Sequence, residues 1–152
     1  MDIQRIIKEN EITTILSLDD LELQKNVLDK LGCSKAEWVQ NLIKESKIHD
    51  GNLTRIYGVL EGGKVKGYMI GQNCVAPPLY RFFIISYQNF FGLKDDNGKQ
   101  IGLKALEAIK AWACECGAKK ILIGAGNEEM ARFYEIYAGF KRTAEINMEL
   151  KL

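Results

Sequence analysis

The sequence is short of several residue types, and each shortage excludes a class of protein. His49 is the one histidine in 152 residues, and there are four cysteines. Cys33 and Cys74 stand alone. Cys114 and Cys116 lie two apart in a helical pattern, so they point in different directions and suit neither a zinc knuckle nor a bridge. Reduced thiols acting as small apolar side chains are expected, and no metal site. His49 is expected in a loop beside Asp50 and Gly51. No apolar run approaches the roughly 20 residues that a membrane span needs. The opening MDIQRIIKENE lacks the apolar block and small-residue cleavage site of a secretion signal, so the cytoplasm is the expected compartment. Charge imbalance is also missing. With 21 basic and 20 acidic residues, a net +1 gives no general pull toward nucleic acid or an acidic membrane.

What remains has the make-up of an ordinary globule, 47% apolar and 27% charged. No repeat, low-complexity tract or linker divides it, which predicts one domain over residues 1–152. Ile3, Ile6 and Ile7 sit at helical spacing, and Ile12 to Leu18 leans toward a first strand. Leu21, Leu23, Val27, Leu28 and Leu31 recur as on a helix that Gly32 stops. Ser34 and Glu37 form a capping-box pattern that opens a helix through Trp38, Leu42 and Ile43.

From Thr54 the period changes. Residues 54–61 and 64–71 are β-leaning runs joined by Glu61-Gly62-Gly63-Lys64, a hairpin signal. Cys74 to Pro78 is expected to break the chain, and Leu79 to Phe91 to form a long, well-buried strand. Lys94 to Gly98 is a polar turn before the clearest helix, residues 100–116, stopped by Gly117. Ile121 to Ile123 is a short strand. Asn127 is a good N-cap for a helix that carries Met130, Phe133, Tyr134 and Tyr137 inward and stops before Gly139. Ala144, Ile146, Met148, Leu150 and Leu152 then alternate with polar residues, which predicts a closing, half-exposed strand suited to edge pairing with a second copy. The alternation of elements implies an α/β (α+β) domain with a mixed sheet.

This order of elements over about residues 54–152 resembles the GNAT acetyltransferases, whose central sheet is mixed, mostly antiparallel and flanked by helices. Residues 1–53 take the place of that family's variable N-terminal part. Two segments carry the likeness. NGKQIGLKALEAIKAWACECGAKKILI is similar to the family's cofactor helix and following strand, and NEEMARFYEIYAGFKR to its closing segment. The seven-residue step from Asn127 to Tyr134 matches the family spacing.

The resemblance implies an N-acetyltransferase that moves acetyl from acetyl-CoA to a primary amine of a small molecule or a protein. In register with the family's signature, Asn97, Gly98, Lys99, Gln100, Ile101 and Gly102 would hold the pyrophosphate. Free N–H groups and the dipole at a helix N-terminus suit an anion, and glycine lets it approach the backbone. The signature is degenerate: Asn97 stands for a long polar residue and Gln100 for a glycine. Asp95 and Asp96 place two negative charges beside it. A plain turn with an N-cap would use the same residues.

By the same register, Phe90, Phe91 and Gly92 would meet the pantetheine arm, as would Asn127 in addition to its capping role. Tyr134 would be the general acid that protonates the leaving thiolate. A phenol suits that role at neutral pH, although a core aromatic would occupy the same place, and Tyr137 is the fallback. The family often carries a glutamate base on the long strand, but residues 79–91 contain no carboxylate, leaving a water chain or Glu61. These departures keep open a second function, a GNAT-like fold that no longer catalyses and serves as a binding or assembly module, or as a CoA-binding regulator.

Overall fold

The computed structural model describes residues 2–17, 23–76, 80–89, 96–125, 127–146 and 148–152. The chain opens with a strand, β1 (Asp2–Ile6), followed by helix α1 (Glu9–Ser17). A second helical segment, α2, is π-wound over Gln24–Leu28 and closes with an α-turn, Asp29–Leu31. Helix α3 (Lys35–Lys47) precedes three strands, β2 (Thr54–Glu61), β3 (Lys64–Ala76) and β4 (Tyr80–Asn89). Helix α4 (Asp96–Glu115), strand β5 (Ile121–Ile123) and helix α5 (Glu128–Ala138) complete the regular structure. Among the described residues no helix is long and apolar enough to cross a membrane.

The first two elements reverse the expectation. Isoleucines at helical spacing would share one face, but Ile3 packs into the cluster under α4, Ile6 into the cluster under α1 and α3, and Ile7 is exposed. An odd separation reaches opposite faces on a strand, and β1 pairs antiparallel with β2 over Asp2–Ile6. The next stretch is helical despite its β-branched residues. Ile12, Ile15 and Leu16 make one buried face, while the hydroxyls of Thr13 and Thr14 donate to the carbonyls of Glu9 and Asn10. Further along, local signals agree with the structure. Ser34 Oγ accepts from the Glu37 N–H and the Glu37 carboxylate accepts from the Ser34 N–H. Gly32, Gly117 and Gly139 close their helices in the left-handed region.

The sheet runs β1-β2-β3-β4-β5, antiparallel until β5, which pairs parallel with β4. This is the GNAT-like mixed, mostly antiparallel sheet expected. Strand β3 runs longer than predicted, since Cys74, Val75 and Ala76 still pair with Phe82, Arg81 and Tyr80. One core lies between the sheet and α4, built on Met69, Phe83, Ile85, Ile109 and Trp112. The other lies between the sheet and α1 and α3, built on Ile12, Ile43, Ile56, Tyr68 and Ile70. Gly71 lets α4 approach, because a Cβ there would sit 3.2 Å from Ile109 and 3.3 Å from Trp112.

Strand β4 changes faces at one residue. Gly71 pairs with Ile85 and Ile70 with Tyr87, so Ser86 is an extra residue, a β-bulge. Before it, Phe83 and Ile85 pack toward α4; after it, Tyr87 packs toward α1 and α3. Strict alternation would have sent all three the same way.

The closing strand is absent. Residues 141–146 and 148–152 have no regular structure, and Ile146, Met148, Leu150 and Leu152 are 83–116% exposed. Alternation expresses a capacity to pair, which needs an edge to be realised. At the root of this segment Arg142 is clamped to Glu128 and Glu135 of α5, and not to the edge of β5. Tyr137 also departs from its predicted inward placement, being 60% exposed. Helix α4 starts at Asp96, so the residues expected in a turn up to Gly98 already form its first turn.

Candidate active site

The structure brings the ends of β4, β5, α4 and α5 to one side of the sheet. Strand β5 pairs with β4 over Phe83–Ile85 and stops at Ile123, while β4 runs on to Asn89. Beyond Ile85 that edge of β4 has no strand partner among the described residues. An unpaired edge leaves backbone groups able to bond an extended ligand.

Tyr134 occupies this gap. It is 3% exposed, and its hydroxyl donates to Gln88 Oε1 at 2.5 Å. Phe133 and Phe140 meet its ring edge-on, with centroids 5.3 Å and 5.5 Å away. Burial pushes its hydroxyl up to about 12, against a smaller opposing pull from the Gln88 amide. The group is therefore a held proton at neutral pH. Tyr137, on the surface of the same helix, has no comparable environment.

The predicted cofactor residues fall as follows. Asn97 and Gly98 belong to the first turn of α4, where backbone N–H groups lack intrahelical partners. Lys99 and Gln100 are exposed one step later. Ile101 and Gly102 are buried, Ile101 within the core under α4. Phe90, Phe91 and Gly92 lie outside the described residues. Asn127 caps α5, its Oδ1 accepting from the Met130 N–H at 2.8 Å.

On the opposite face of the sheet, a cavity of about 320 Å³ lies between α3 and strands β3 and β4. Its polar wall contains a carboxylate that sequence reasoning missed, Glu45. Glu45 Oε2 accepts from Thr54 Oγ1 at 3.4 Å and from Gln72 Nε2 at 3.5 Å. Gln72 is in turn fixed by Ser86, whose hydroxyl donates to Gln72 Oε1 at 2.8 Å. The bulge residue thus joins this cavity to the gap occupied by Tyr134. A signal for Glu45 was present: Trp38, Leu42 and Glu45 recur at i, i+4 and i+7, putting one carboxylate on the inward stripe of α3. Glu61, the sequence-based alternative, ends β2 as an exposed residue of the hairpin. Among the described residues, no group of three or more histidine, cysteine, aspartate or glutamate side chains is arranged to hold a metal ion.

Comparison with known proteins places the fold. No family model matches the chain, and no curated protein matches it. Solved structures do. A predicted acetyltransferase with acetyl-CoA from Clostridium acetobutylicum superposes with a TM-score of 0.72 at 19% identity, covering 99% of this chain and 95% of that one. An aminoglycoside acetyltransferase from an uncultured soil metagenomic sample gives 0.69 at 17%, covering 99% and 96%. A ribosomal-protein-alanine N-acetyltransferase from Brucella melitensis biovar Abortus 2308 gives 0.68 at 14%, with both chains fully covered. At these identities the likeness is one of fold.

Proposed function

We propose that the chain is an N-acetyltransferase that moves the acetyl group of acetyl-CoA to a primary amine by direct attack in a ternary complex. The observation that carries this reading is the buried hydroxyl of Tyr134, kept protonated beside Gln88 where β4 has run past the end of β5. The likeness in fold to a structure solved with acetyl-CoA supports it. So do the acceptors in the names of the other two, an aminoglycoside and a ribosomal protein, both compatible with an amine.

Acetyl-CoA supplies an activated acyl thioester; the chain must orient it, place an amine and manage one proton. The free edge of β4 is suited to bond an extended amide-bearing arm, with the strand end near Phe90 to Gly92 and Asn127 at its flanks. The first turn of α4, from Asn97 to Gln100, is suited to the phosphates, with Lys99 adding a positive charge and Ile101 and Gly102 forming the backbone behind it. As the new N–C bond forms and the C–S bond breaks, Tyr134 Oη gives its proton to sulfur. A positioned acid of this kind is worth about 10²–10⁴ in rate. An acyl-enzyme is not needed. Burial pushes the Cys74 thiol up, away from the thiolate a nucleophile requires.

The test is calorimetry with acetyl-CoA, followed by transfer assays over a panel of primary amines. Heat of binding and amine-dependent release of CoA are expected. Binding without transfer to any amine would favour the CoA-binding regulator. The absence of binding would favour the assembly module.

A further inference from the structure

The cavity beside Glu45 belongs to no part of the cofactor path described above, and its lining has a definite chemistry. Trp38 and Tyr87 meet edge-to-face, centroids 6.2 Å apart, and both line it, together with Leu42 and Ile70. Glu45 is the one charged side chain of its lining among the described residues. Both of its hydrogen bonds are long and fall on Oε2, and among the described residues Oε1 has none. A carboxylate so loosely engaged retains most of its capacity to accept from a cation. The surrounding rings offer a cation their π-faces and an apolar body a dry surface.

We infer that this cavity is the acceptor site and that it selects a small primary monoamine with an apolar or aromatic body. Glu45 is the residue that receives its ammonium group. The inference rests on the acetyl-transfer reading for its purpose, and on the cavity alone for its ligand. One carboxylate neutralises one ammonium. A polyamine or aminoglycoside would bring further cations against Trp38, Leu42 and Ile70, where no second carboxylate meets them and desolvation opposes entry. The volume is at the small end of ligand sites, which also favours a compact amine. Ser86 supplies the connection to the reaction. It fixes Gln72, and through it the side of the cavity nearest the free edge of β4, so an ammonium at Glu45 is held next to that edge.

The experiment measures binding of 2-phenylethylamine, 2-phenylethanol and spermidine by calorimetry, to the full chain with and without CoA. 2-Phenylethylamine is expected to bind at least about tenfold more tightly than either of the others. Glu45→Gln is expected to weaken its binding at least tenfold, with Glu45→Asp recovering part of the loss. Asn41→Lys, which puts a cation at the exposed rim, should weaken it as well without touching Glu45. Melting curves confirm that each variant is folded, and acetyl-CoA binding, measured separately, should be unchanged in all three. Spermidine binding as tightly as 2-phenylethylamine, or an unchanged affinity in Glu45→Gln, would overturn the inference. If acetyl-CoA binds and 2-phenylethylamine does not, the amine site falls and the transferase reading stands. If the amine binds and acetyl-CoA does not, the transferase reading falls and the amine site stands.

Discussion

The hydroxyl of Tyr134 and the amide of Gln88 are 46 positions apart in sequence and 2.5 Å apart in space. This bond ties α5 to the part of β4 that β5 does not cover, and it holds the one buried phenolic proton of the proposed site. Tyr134→Phe should therefore lower acetyl transfer roughly 10²–10⁴-fold and leave acetyl-CoA affinity nearly unchanged. Turnover equal to wild type with any accepted amine would return Tyr134 to a packing role.

The same residue sets an alkaline dependence of stability. Burial raises its folded-state value from 10.0 to about 12, so the folded protein holds the proton more tightly than the unfolded chain. That contribution is fully present below pH 10 and is lost as pH rises toward about 12. Urea midpoints taken between these limits should fall more steeply for wild type than for Tyr134→Phe. Equal slopes would show that burial does not hold the proton.

Charge at the start of α4 should control cofactor affinity. Lys99 is exposed, so Lys99→Glu should leave the fold intact and weaken acetyl-CoA binding by about tenfold. Gly102→Asp should abolish the thermal shift that acetyl-CoA gives wild type, a stabilisation of about 2.7 kcal/mol at 100 times its dissociation constant. Because Gly102 is buried, its variant needs a melting curve without ligand beside it.

Ser34 offers a test free of function. Its hydroxyl accepts from the Glu37 N–H while the Glu37 carboxylate accepts from the Ser34 N–H, so Ser34→Ala removes one bond and loosens the other. A loss of about 1 kcal/mol in chemical denaturation is expected.

The exposed closing segment predicts an association. If its alternating face pairs with the edge of a second copy, the full chain should sediment as a dimer and a chain ending at Thr143 as a monomer. Identical behaviour of the two would remove that pairing.

Sequence legibility followed the range of the forces involved. The capping box at Ser34, the Asn127 cap, the left-handed Gly139 and the β2–β3 hairpin depend on residues a few positions apart, and all were readable. The identity of β1 depended on β2, more than fifty positions away, so three isoleucines suggested a helix until pairing sent them to different faces. Of the candidate site, Tyr134 could be named from a local segment, but its partner Gln88 and the environment of Glu45 come from contacts between distant elements. The closing strand failed for a related reason: its alternation was clear, but nothing local says whether an edge will receive it.

The extra residue at Ser86 makes the geometry of this site a matter of counting. Without it, Tyr87 would turn toward α4, and Gln88 would leave the side on which Tyr134 meets it. Almost any side chain at position 86 preserves that count, whereas removing the position, or adding a neighbour, inverts every residue downstream to Asn89. The strand should thus accept diversity in kind at this point and none in length. A library of insertions and deletions across residues 83–89 would show the site as a sharp boundary where a library of substitutions shows a gradual one.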